Sequence, residues 1–120
     1  MTIEKLIESL DRHTNNGTID PQQPLEENVT SIRSFTHRDW LALRNLNSKQ
    51  KSNLWIECLF DLLDKAHTRE ARQMIVYIAL NGTEENYLAA IKYIQSFRRD
   101  ISTYTWLKLK NRSAEIFKNK

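Results

Sequence analysis

Glycine and proline are scarce in this sequence, at two residues each among 120. Tight β-hairpins draw on Gly or Asn-Gly turns and phosphate-cradling loops need several glycines, so β-rich folds and nucleotide loops are both disfavoured. Cysteine is scarcer still. Cys58 stands alone, which leaves no intramolecular disulfide and no partner for a zinc or redox motif; a reducing compartment fits. Long apolar runs are also missing. The segment 1–12 carries Glu4, Glu8 and Asp11 inside an amphipathic pattern rather than the unbroken apolar stretch of a signal peptide, and no later run approaches the length of a membrane span. The expected location is the cytoplasm, with no membrane partner. Glycosylation-type triplets at Asn16, Asn28, Asn81 and Asn111 therefore carry no functional weight.

What is present is helical periodicity. At this length the chain fits one domain, residues 1–120, able to bury roughly two-thirds of its unfolded surface without a metal or a staple. Ile3, Leu6, Ile7 and Leu10 fall on one helical stripe, with Thr2 as N-cap. The stretch from His13 to Pro24 collects Asn15, Asn16, Gly17, Asp20 and Pro21 and reads as the longest loop. Leu25, Val29 and Ile32 resume the helical spacing. Thr36 to Asp39 then resembles a capping box that opens a short helix carrying Trp40, Leu41 and Leu43.

A long helix is expected from about Ser48 to Ala66, with Trp55, Cys58, Leu59, Leu62, Leu63 and Ala66 in a stripe widened by Leu54, Ile56 and Phe60. Thr68 caps the next, which ends at Asn81-Gly82. Thr83 starts another that runs to Arg98, with Glu84 and Glu85 at its positive dipole end. A last helix covers 100–120. Short junctions at His67, 81–83 and 98–101 predict antiparallel neighbours. The expected fold is all-α: a single-domain bundle or a stack of antiparallel helical hairpins, with about six to seven helices. Helices of this length set back to back resemble HEAT-type pairs.

The chemistry-bearing residues do not assemble into a catalytic set. His37-Arg38-Asp39 copies the opening of the kinase catalytic loop, but Arg44 stands where that loop needs its metal-holding Asn, and helix capping explains Thr36 and Asp39. His13, His37 and His67 fall in a loop, at a helix start and at a junction, without the spacing that would aim them at one metal. Cys58 lies on the central apolar stripe and is expected to be a buried, inert thiol. No cofactor or metal is expected, and the chain is not expected to be an enzyme. Glu57, Asp61 and Asp64, spaced by four and three, share one helix surface and could form a patch that a basic partner recognises.

Charge is distributed unevenly. Residues 1–30 hold two Lys/Arg against six Asp/Glu, and residues 97–120 hold seven against two. Arg98, Arg99, Lys108, Lys110 and Arg112, interleaved with Tyr104 and Trp106, offer a nucleic-acid surface on which cations meet phosphate and rings stack on bases. The simpler account places the cations on solvated faces, with Tyr104 and Trp106 anchoring the segment to the core; a net charge of only +3 suits it. Residues 68–98 also trace the outline of a helix-turn-helix, yet its second helix would present Glu84 and Glu85 to phosphates.

Small, cytoplasmic, all-helical chains without catalytic motifs resemble bacterial immunity proteins and antitoxins. That resemblance is one of overall type. It implies non-catalytic protein–protein binding that neutralises a toxin and carries over no functional residue; acidic positions such as Glu57, Asp61 and Asp64, or those near the N-terminus, are the candidates for meeting a basic toxin nuclease. The reading from the other class is a nucleic-acid-binding or regulatory protein that uses the basic segment 98–120.

Overall fold

The helical periodicity is realised along the chain in a computed structural model that describes residues 3–14, 26–46 and 51–118. Seven α-helices occur among the described residues: α1 Ile3–His13, α2 Glu26–Arg33, α3 His37–Asn45, α4 Asn53–Ala66, α5 Arg69–Asn81, α6 Glu84–Ile94 and α7 Thr103–Lys118. A 3-10 segment, Gln95–Asp100, joins the last two, and no strand occurs among the described residues. The Thr2 cap, the expected loop from residue 15 to 24 and the expected helix start at Ser48 lie outside the described residues.

Capping chemistry sets several boundaries. Thr36 and Asp39 form a reciprocal capping box at α3, and the backbone N–H that Thr36 donates to Asp39 holds that carboxyl below its ordinary range. Ser52 accepts from the Trp55 backbone N–H, so α4 begins at Asn53. Thr68 caps α5 and Thr83 caps α6, each accepting from an N–H three residues on. His67 closes α4 with φ 54°, the left-handed conformation often taken by the residue that ends a helix. His13, expected in a loop, ends α1 instead.

The expected helix to Arg98 stops early. α6 gives way after Ile94 to the 3-10 segment, within which Phe97, its ring buried, leaves helical geometry at φ −124°, ψ 29°; Ser102 then caps the following helix through the Thr105 N–H.

The helices pack in two rows. α2, α4 and α6 are neighbours in one row and α3, α5 and α7 in the other, while α4 with α5 and α5 with α6 pack as consecutive pairs. This layered packing makes an all-α helical bundle, the first of the two architectures expected. α1 lies against α3 and α4. The central helix α4 buries Trp55, Ile56, Leu59, Phe60, Leu62, Leu63 and Ala66, more than one face, as its widened stripe predicts. Arg33 ties two helices of the first row together: its Nε donates to the Ala66 carbonyl at 2.9 Å and its Nη2 to that of Lys65 at 3.2 Å, which satisfies carbonyls that a helix end leaves unpaired.

Candidate functional site

Because α4 is buried on its other sides, only a narrow strip of it meets solvent, and that strip carries the carboxylates. Glu57 is exposed, and Asp61 and Asp64 are half-buried. Positions i, i+4 and i+7 lie nearly above one another on a helix, so the three side chains form a single acidic stripe. Lys65 forms an ion pair with Asp61 at 3.0 Å, both side chains about half exposed, an i, i+4 contact of modest strength.

Tyr93 of α6 completes the stripe, and the sequence carried no signal for it because the contact crosses helices. Its ring packs against Phe60, with centroids 5.9 Å apart. Burial pushes its phenol above the ordinary range, and Asp61, Asp64 and Glu57 add to the shift; all three carboxylates therefore act on one aromatic side chain. Cys58 sits at the same margin. It is half-buried rather than fully buried, a correction to the expected core position, and burial first, then Asp61 and Glu57, raise its thiol above the usual value. Both effects disfavour the thiolate. Iodoacetamide is therefore expected to modify Cys58 more slowly at pH 8 than it modifies free cysteine, and Asp61→Asn is expected to restore part of the rate. A Cys58 that reacts as fast as the free amino acid would contradict this assignment.

The five cations of the C-terminal segment are not brought onto one surface. Lys108 and Lys110 are two residues apart on α7, which points them about 200° apart around the helix. Arg112 is half-buried and its Nη2 donates to the Gly82 carbonyl at 2.8 Å, so it serves the α5–α6 turn. Its Nε is buried without a hydrogen-bond partner. Arg98 lies over the Trp106 ring at 4.4 Å and Lys108 over the Tyr104 ring at 4.5 Å, so each ring already has a cation on one face. Arg99 and Lys110 are exposed. Trp106 packs against the core, as expected of an anchor. Tyr104, by contrast, is 67% exposed and anchors nothing; Leu109 and Ile116 hold α7 instead.

An open cleft of about 590 Å³ separates α5 from the start of α7, with Arg69, Arg72, Val76, Phe97, Ser102 and Thr105 on its walls. Arg72 is held within that wall: its Nη1 pairs with Asp100 at 2.7 Å and its guanidinium lies 5.5 Å from the Phe97 centroid. Among the described residues no group of three or more His, Cys, Asp or Glu side chains is placed to hold a metal ion, and no helix is long and apolar enough to cross a membrane. No family model, curated protein or solved structure matches the chain.

Proposed function

We propose that the chain is a non-catalytic protein-interaction module of the immunity or antitoxin type, which presents the acidic stripe of α4 to a basic protein partner. The observation that carries this reading is the presentation of Glu57, Asp61 and Asp64 in one row on a helix whose apolar faces are buried, with Tyr93 of α6 packed against Phe60 of that helix. A stripe fixed by core packing needs little ordering when a partner arrives. Carboxylates in a row favour encounter with a basic surface and fix its register, and a half-buried tyrosine supplies the aromatic contact that commonly anchors interfaces. A toxin whose active site is basic, such as a nuclease, has the complementary chemistry.

The test compares tagged wild-type chain with a Glu57→Lys/Asp61→Lys/Asp64→Lys variant, each purified from the producing cells after nuclease treatment. The expected result is a stoichiometric basic partner that the wild type retains and the variant loses, with affinity for the isolated partner reduced about tenfold or more by removal of close charge pairs. Expression of that partner alone is expected to arrest growth, and co-expression to relieve the arrest. Retention that survives charge reversal would overturn the α4 stripe as the contact, and nucleic acid that is recovered when nuclease is omitted and lost with Arg98→Ala/Arg99→Ala/Lys110→Ala would instead favour nucleic-acid binding through residues 98–120.

A further inference from the structure

Helix α7 closes the row formed by α3, α5 and α7, and its two sides differ in an unusual way. Leu109 and Ile116 are buried. Along a second stripe Thr103, Leu107, Lys110, Ala114 and Phe117 are all exposed. Their spacing of four, three, four and three is the seam period by which one helix receives another. Tyr104 and Leu107, one turn apart, are 67% and 53% exposed. The outer surface of α7 is therefore not uniformly polar: it carries leucine, alanine and aromatic side chains.

The cations on α7 indicate what covers them. Lys110 lies within the seam and exposed Lys118 lies beside Leu107 around the helix, where Glu115 is the sole carboxylate. We propose that this outward seam, centred on Leu107 and Lys110, is a docking strip for an acidic amphipathic helix of a partner protein, which continues the α3, α5, α7 row by one helix. Apolar side chains of the incoming helix meet Leu107 and Tyr104, and its carboxylates meet Lys110 and Lys118.

Other occupants fit less well. Two copies of α7 joined seam to seam would bring lysines together with one carboxylate each to offset them. A lipid surface asks for a broad apolar face, whereas Thr103 and Lys110 interrupt this one. Phosphate gains nothing from Leu107 and Ala114. The strip is separate from the α4 stripe and stands or falls without it.

The experiment places a benzophenone photo-cross-linker at exposed Asn111 beside the seam, with the same probe at exposed Lys92 of α6 as control, in full-length chain in the producing cells. Adducts are sequenced, and a peptide of the cross-linked segment is titrated against purified chain. The expected result is an acid-rich segment of helical period whose peptide binds about tenfold or more weakly to Leu107→Glu and to Lys110→Glu, and unchanged to Asp61→Lys. Circular dichroism confirms that the variants are folded. An adduct to a second copy, to nucleic acid, to lipid or to an acid-poor segment overturns the proposal, as does an Asn111 yield no higher than that at Lys92. Loss of binding in Asp61→Lys alone would assign the peptide to the α4 stripe and overturn it equally.

Discussion

Phe60→Ala lowers the stability of the fold by about 3–5 kcal/mol, the range for emptying a fully buried phenylalanine site. Phe60 has no exposed surface and sits in the middle of α4, the helix that contacts α1, α2, α5 and α6. Its neighbours are held by their own helices, so the space left by the ring cannot collapse, and the lost transfer energy and the cavity both count against the variant. Against a total stability of about 5–15 kcal/mol the loss is severe. Urea unfolding followed by circular dichroism is expected to show a lower midpoint with an unchanged slope. Phe60 also backs Tyr93 and, through it, the acidic stripe. Partner binding measured per folded molecule should nevertheless be largely retained, because Glu57, Asp61 and Asp64 are set in line by the helix itself. A loss below about 1 kcal/mol would mean that the α4 core is loosely packed, contrary to the near-native packing density assumed for a buried ring.

The features legible in the sequence are those decided within one helix. The periods of Ile3 to Leu10 and of Trp55 to Ala66 pick out their buried faces, and the caps at Thr36, Thr68 and Thr83 mark helix starts, because each of these depends on residues within a turn or two. The stripe Glu57, Asp61, Asp64 is legible for the same reason. Contacts between distant residues are not. Arg112 reads as one cation among five, yet the Gly82 carbonyl it reaches is thirty positions away; Tyr93 and Arg33 likewise gain their roles from helices that only the fold brings near. The break at Phe97 was hidden too, since burial of one ring outweighs the helical preference of its neighbours. Adjacency in sequence also misled: Tyr104 and Trp106 stand between Arg99 and Lys108 in the sequence, but two positions on a helix face different ways, so one ring packs on the core and the other faces solvent.

Gly82→Ala is expected to destabilise the chain by about 2–4 kcal/mol, the sum of overpacking and a damaged helix cap. Asn81-Gly82 is expected from the sequence as the stop of α5. Gly82 takes φ −88°, ψ −162°, a backbone open to any residue, and the left-handed cap is at His67. What requires glycine is space. A Cβ here would press on Oδ1 of Asn86 and approach the Ile78 carbonyl oxygen to 2.7 Å. Asn86 cannot easily move aside, being 2% exposed; its Oδ1 accepts the Thr83 N–H at 3.1 Å while its own N–H donates to Thr83 Oγ1 at 3.0 Å. The Ile78 carbonyl is equally committed, accepting the Gly82 N–H, and the Gly82 carbonyl holds Arg112. One methyl group therefore strains the cap of α6, the end of α5 and the attachment of α7 together. Faster hydrogen exchange at the Thr83 and Asn86 amides should accompany the loss. Adding Asn86→Ala should cost less in the Gly82→Ala background than in the wild type, a coupling of about 1 kcal/mol between residues in contact, with the Ile78 contact persisting in both. If Gly82→Ala instead stabilises the chain by the few tenths to 1 kcal/mol typical of a compatible Gly→Ala exchange, the turn yields freely and the close packing of α5 on α6 is not what holds α7 in its row.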